Sequence, residues 1–147
     1  MKVRDAMTPA VRTVGPEASI REAARLMADG DIGALPVTSG DRLAGMVTDR
    51  DIVIRGLAVG KGIDATVGDV MTHEVLYCRQ DDDVADVCEN MSDLQVRRLP
   101  VVDADKRLVG IVSLADFADS AAKDAGKALD AITRPGGPRS QSIDGRA

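Results

Sequence analysis

Leu35-Pro36-Val37, a turn at Ser39-Gly40-Asp41, then Arg42-Leu43-Ala44-Gly45-Met46-Val47-Thr48-Asp49-Arg50-Asp51 is the stretch on which the fold turns. It returns as Leu99-Pro100-Val101, Asp103-Ala104-Asp105-Lys106, then Arg107-Leu108-Val109-Gly110-Ile111-Val112-Ser113-Leu114-Ala115-Asp116. Two apolar runs around a polar turn predict paired short strands, near 34–38 and 43–48, and again near 98–102 and 108–112. A helix is expected to begin at Thr48 and at Ser113, where a hydroxyl can act as its N-cap.

Outward from this stretch the register holds. At an offset of 64, Val3, Asp5, Met7, Thr8 and Val11 meet Val67, Asp69, Met71, Thr72 and Val75. Met27 and Asp29 meet Met91 and Asp93. One residue inserted in the second turn shifts the offset to 65, where Arg42, Leu43, Gly45, Val47 and Asp51 meet Arg107, Leu108, Gly110, Val112 and Asp116. The chain is a tandem repeat. Each copy opens with a short lead, Val3 to Met7 in the first, and an extended piece near Val11–Val14 that Gly15-Pro16 breaks. Ser19 and Glu22 have capping-box spacing, and apolar residues follow at 20, 23, 24 and 27, the period of one helix face. Val84, Val87, Cys88 and Met91 repeat that stripe with Asp83 as the expected cap, and Asp29-Gly30 is expected to stop the first helix. The order per copy is strand, helix, strand, strand, helix, an α/β (α+β) class. The expected division is 1–60, 61–125 and a disordered tail 126–147 rich in Gly, Pro and polar residues.

Leu-Pro-Val, a turn, and Arg-Leu-x-Gly-(apolar)-Val-[Ser/Thr]-x-x-Asp, twice, after an Ala/Met-rich helix, resemble the CBS domain. Over roughly 3–122 the chain is similar to stand-alone CBS pairs of the actinobacterial hypoxic-response type, which Gly33-Ala34-Leu35-Pro36-Val37 and the run from Thr48 to Ala58 also match. The resemblance implies two β-α-β-β-α repeats packed sheet to sheet about a pseudo-two-fold axis. It implies a regulatory module that binds an adenosyl ligand (AMP, ADP, ATP or S-adenosylmethionine), with none obligatory, and acts on an unknown effector protein. The alternative is a dimerisation or interaction module in a stress response that binds no ligand. Leu35, Val37, Val47, Leu99, Val101 and Val112 are expected in the core. Ile20, Met27, Ile52, Leu57, Val84, Met91 and Phe117 are expected on outer helices that join a homodimer, with Met27 and Met91 read as either core or dimer-face residues.

The Thr48–Asp51 element can be read from its chemistry. A hydroxyl and free N–H groups at a helix start favour an anion such as phosphate. Asp51, one turn on, would repel phosphate but can accept from two ribose hydroxyls, and Arg50 can assist with charge. The alternative is that Thr48 only caps the helix and Asp51 only complements its dipole. The resemblance places Ile32, Gly33 and Ala34 beside the base, with Thr8 and Arg12 (matched by Thr72 and Leu76) on the other wall. In the second copy the matching set is Val96, Arg97, Arg98, Ser113 and Asp116. There Leu114 and Ala115 replace the Asp49-Arg50 pair, which weakens phosphate binding.

Composition excludes several other classes. The chain has 147 residues, 44% apolar and 29% charged, with a net charge of −5 and a pI near 4.8. One Phe, one Tyr and no Trp leave nothing for base stacking along single strands, and an acidic chain lacks the basic footprint of a nucleic-acid binder. There is no long apolar run for a membrane span, and the charged start Met1-Lys2-Val3-Arg4-Asp5 lacks a secretory pattern. A lone His73 and two cysteines, Cys78 and Cys88, show no metal spacing. The expected location is cytoplasmic, with free thiols. No nucleophile–base pair is visible, so the chain is not expected to be an enzyme.

Overall fold

The structure, a computed structural model, describes residues 1–9, 11–118 and 129–133. The first repeat contains α1 (Val3–Ala6), α2 (Ile20–Gly30), β1 (Ala34–Ser39), β2 (Arg42–Thr48) and α3 (Asp49–Asp51). The helical path of α3 continues through a π-helical turn, Ile52–Gly56, and a 3-10 turn, Leu57–Val59. The second repeat contains α4 (Val67–Val70), β3 (Cys78–Arg79), α5 (Val84–Leu94), β4 (Arg98–Val102), β5 (Leu108–Ser113) and α6 (Leu114–Phe117). The result is a mixed α+β fold, with one sheet ordered β1-β2 and the other β3-β4-β5.

Helix α2 starts as its sequence dictates, with the Ser19 hydroxyl accepting from the Glu22 N–H at 3.1 Å. Its apolar stripe turns inward, so Ile20, Ala23 and Met27 are buried. The helix runs through Gly30 and ends on Asp31 in the left-handed region, φ 50°. Helix α5 departs from expectation at its start. The Asp83 side chain makes no cap bond. Instead its carboxylate accepts from Lys2 Nζ at 2.9 Å, and this hydrogen bond and the lysine charge hold Asp83 below the usual carboxylate value. The extended piece near Val11–Val14 shrinks to one parallel bridge, Val14 to Val37. The Pro36 carbonyl accepts from Val14 N and Thr38 N donates to the Val14 carbonyl. The missing N–H of Pro36 therefore falls on the thin side of β1, where a strand tolerates proline.

The compact units do not follow the boundary between the repeats. Among the described residues, one unit takes 11–76 and 105–108, and the other takes 1–9, 77–104, 109–118 and 129–133. Each therefore contains the lead segment of the opposite repeat. In the first-repeat unit, Thr72 N donates to the Met46 carbonyl at 2.8 Å and Met46 N donates to the Thr72 carbonyl at 3.1 Å. In the second-repeat unit, Thr8 and Ile111 exchange the same two bonds at 2.8 and 3.0 Å. Of the tail expected to be disordered, 129–133 is helical, and the rest lies outside the described residues.

The expected core residues Leu35, Val37, Val47, Leu99, Val101 and Val112 are all buried. The expected dimer face is corrected. Ile20, Met27, Ile52, Val84, Met91 and Phe117 are buried within the chain, and of that set only Leu57 is exposed. With so few aromatics, these aliphatic and Met side chains are needed to fill the two interiors.

Gly45 and Gly110 make the exchanged strands possible. A Cβ on Gly45 would lie 2.6 Å from the Thr72 carbonyl oxygen, and one on Gly110 would lie 2.8 Å from that of Thr8 and 2.7 Å from Met7 Sδ. Inserting a carbon into a packed contact of this kind costs about 1–3 kcal/mol. Gly45→Ala and Gly110→Ala should each lower stability by that amount in urea unfolding. Gly62→Ala, at a position open to space, should stay within about 0.5 kcal/mol of wild type. Equal behaviour of all three variants would show that the close approach does not constrain the fold.

Candidate functional site

The junction of β2 and α3 carries the first set of residues. Thr48 is extended, φ −118° and ψ 163°, and its hydroxyl oxygen accepts from the Asp51 N–H at 3.0 Å. Asp51 Oδ2 returns the bond, accepting from the Thr48 N–H at 3.0 Å. This reciprocal box satisfies two backbone donors and leaves the Thr48 hydroxyl proton available to an acceptor. Asp51 Oδ1 faces Arg55 Nε at 3.8 Å, and Arg55 Nη1 reaches the Met71 carbonyl at 3.5 Å. The Asp51 side chain is only 14% exposed. Arg50 is half-buried and carries no ion pair among the described residues.

Ala34 stands opposite Thr48 in the β1–β2 register. The Gly33 carbonyl accepts from the Asp49 N–H at 3.0 Å, so Gly33 lies at the same junction. A Cβ on Gly33 would come within 3.1 Å of Asp49 Oδ2, so the small residue lets the Asp49 carboxylate lie against this edge. Ile32 is half-buried and packs on the first-repeat core. Ile32, Gly33, Ala34, Thr48, Arg50 and Asp51 therefore meet at one end of the sheet. Arg12 approaches from the side. Its Nη1 lies 3.5 Å from where a Cβ on Gly30 would sit, at the C-terminal turn of α2, a place where a cation is favoured.

The second set is built alike but bonded differently. Asp116 Oδ2 accepts from Ser113 N at 2.8 Å and also from Ser113 Oγ at 3.1 Å. The Ser113 hydroxyl proton is thus already engaged, unlike that of Thr48. The Leu114 N–H donates to the Arg97 carbonyl at 3.1 Å, the counterpart of Asp49 and Gly33. Arg97 and Arg98 are exposed and Val96 is half-buried.

Thr8 does not join the first-repeat set. It lies across from Ile111 in the second-repeat unit, and Thr72 takes its place opposite Met46, two residues before Thr48. The resemblance implied Thr72 as a wall of the second-repeat site, whereas the structure puts it beside the first; Asp49 and Arg55 were missed. The spacing of Asp51 and Arg55, one helical turn apart, is the signal that would have found the latter.

The chain matches the CBS domain family over residues 3–57 and 67–123, and it belongs to that family. It is thus a CBS pair. It is 44% identical over 117 residues to Hypoxic response protein 1 of Mycobacterium tuberculosis (strain CDC 1551 / Oshkosh), which spans 78% of this chain and 81% of that protein. The crystal structure of Hypoxic Response Protein I with two coordinated zinc ions superposes with a TM-score of 0.74 at 42% identity, covering 82% and 98% of the two chains. The crystal structure of CBSX2 in complex with AMP superposes with a TM-score of 0.73 at 31% identity, covering 83% and 96%.

The Hypoxic Response Protein I structure carries zinc. Among the described residues, no three His, Cys, Asp or Glu side chains come together as a metal site. The two cysteines are buried. Burial, with Asp82 as a second cause, pushes the Cys78 thiol up to about 12 from an ordinary 9.0. No helix among the described residues is long and apolar enough to cross a membrane.

The raised thiol value gives a pH dependence with a definite sign. The folded state holds its proton to a higher pH than the unfolded chain does. Its stability contribution is therefore complete below about pH 9 and is lost as pH rises toward about 12. Between pH 9 and 11 the wild type should lose stability more steeply than Cys78→Ala in urea titrations. Parallel curves would mean that the thiol does not titrate with unfolding.

Proposed function

We propose that this CBS pair is a regulatory module whose first-repeat set binds an adenine nucleotide and whose ligand state is read by an effector protein. The observation that carries the reading is the reciprocal Thr48–Asp51 box at the β2–α3 junction, beside the small residues Gly33 and Ala34 and an Arg50 without an ion pair among the described residues. The Thr48 hydroxyl proton and Arg50 meet a phosphate, and Asp51 Oδ1 accepts from the ribose hydroxyls. Ile32, Gly33 and Ala34 flank the base, and Arg12 and Thr72 stand at the margins. The AMP complex of CBSX2 supports an adenosyl ligand as the class. The Ser113–Asp116 set, with Val96, Arg97, Arg98 and Thr8, is the weaker site, because its hydroxyl proton is already given to Asp116.

Calorimetric titration with AMP, ADP, ATP and S-adenosylmethionine tests this. Hydrogen bonds to a charged group are worth about 1.5–3 kcal/mol, so Asp51→Ala should weaken nucleotide binding about tenfold or more. Asp116→Ala should weaken it less. Wild type that binds none of the four at millimolar concentration leaves the interaction module as the function. A larger effect from Asp116→Ala moves the principal site to the second repeat.

A homodimer is also part of the proposal, through a face that keeps only Leu57 of the expected set. Val53, Ile54 and Leu57 are 50%, 44% and 54% exposed on the helical run after β2. Adjacent exposed apolar side chains favour an isologous contact. Light scattering should give twice the 15.4 kDa chain mass for wild type and the single mass for Leu57→Asp. A monomeric wild type at high micromolar concentration refutes the dimer.

A further inference from the structure

Helix α5 ends on Gln95, whose φ is 53°, where α2 ends on Asp31 at φ 50°. Asp is one of the few side chains that enter the left-handed region readily, and Gln is less suited to it. A residue kept in an unfavoured backbone state points to a use for its side chain. Asp31 is exposed, whereas Gln95 is half-buried. Gln95 Nε2 donates to the Ala131 carbonyl at 2.7 Å, and its Oε1 is buried without a hydrogen-bond partner among the described residues. The segment it holds, 129–133, is helical and tied internally, with Thr133 Oγ1 3.0 Å from the carbonyls of Leu129 and Asp130.

Gln95 leads directly into Val96-Arg97-Arg98. Val96 N donates to the Met91 carbonyl at 3.1 Å, which closes the end of α5. The next carbonyl, of Arg97, receives the Leu114 N–H at 3.1 Å. Leu114 is the first residue of α6, beside Ser113 and two residues before Asp116. Three successive residues thus connect the Ala131 contact to the Ser113–Asp116 cap.

We propose that 129–133 is a strap docked on the end of α5 through Gln95, and that its docking is coupled to the Arg97–Leu114 contact that supports the Ser113–Asp116 set. Coupling is reciprocal, so a nucleotide held at that set tightens the strap. The second statement rests on the nucleotide reading above; the first does not.

Hydrogen–deuterium exchange on the full chain tests both. Gln95→Gly accepts the positive φ and removes the amide, so it keeps the end of α5 while cutting the strap. Ala131→Pro disturbs the strap from its own side. Without nucleotide, both variants should exchange about tenfold faster than wild type at 129–133 and at Leu114, with Leu99–Val102 unchanged. Unchanged exchange at 129–133 in Gln95→Gly overturns the docking. Faster exchange there with Leu114 unchanged in both variants overturns the coupling. Saturating AMP should slow exchange at 129–133 in wild type but not in Asp116→Ala, and AMP that fills the Ser113–Asp116 set without this effect, or that leaves that set empty at saturation, overturns the reciprocal link. If AMP does not bind wild type, the nucleotide reading fails, and the exchange measured without nucleotide still decides the strap.

Discussion

The fold depends on two places where backbone meets backbone without a Cβ between them. Thr72 packs on β2 at Gly45, and Thr8 packs on β5 at Gly110. Each contact gives a sheet edge its last pair of hydrogen bonds, and each comes from the lead of the other repeat. Neither repeat alone contains a complete unit. A piece of about 60 residues buries too little surface to be secure, and exchanging leads makes each half require the other half of the chain. This also accounts for the repeated identities. Met7-Thr8 with Met71-Thr72 and Gly45 with Gly110 recur because they are the two sides of one contact made twice.

The two caps show how the same backbone supports different chemistry. Thr48 accepts from a backbone N–H and keeps its proton; Ser113 gives its proton to Asp116. A buried or half-buried hydroxyl has one donor and two acceptor sites, so where the proton goes decides whether a phosphate oxygen can be met. Beside this, Asp49 and Arg50 become Leu114 and Ala115, and Gly33 and Ala34 become Arg97 and Arg98. The first junction therefore keeps its charge next to the helix start, whereas the second moves its cations to the strand before it.

Much of the fold was legible because it rests on local rules. Apolar runs around a polar turn gave β1–β2 and β4–β5 within a residue or two, and Ser19 capped α2 as its spacing required. The exchanged leads were not legible, because a repeat alignment shows which residues correspond and not which ones touch. The resemblance likewise puts Thr8 on the wall of its own repeat's site, whereas the structure places it across from Ile111. The helix stripes misled in a related way. Ile20, Met27, Val84 and Met91 have the pattern of an outward apolar face, but periodicity marks a face without naming what covers it, and here the chain's own interior does. Asp83 occupies the N-cap position, but its carboxylate is engaged by Lys2, a residue 81 positions away that no local rule could supply.

The residues at the first junction serve the fold and the site together, and this affects what any substitution there can mean. Asp51 satisfies the Thr48 N–H, pairs with Arg55 and, through Arg55, reaches the Met71 carbonyl next to the exchanged Thr72. Removing Asp51 loosens a cap worth about 1 kcal/mol as well as a ribose acceptor. Arg50 is different, because nothing in the described structure leans on its guanidinium. With no ion pair to lose among the described residues, Arg50 separates ligand binding from stability more cleanly than the carboxylate beside it.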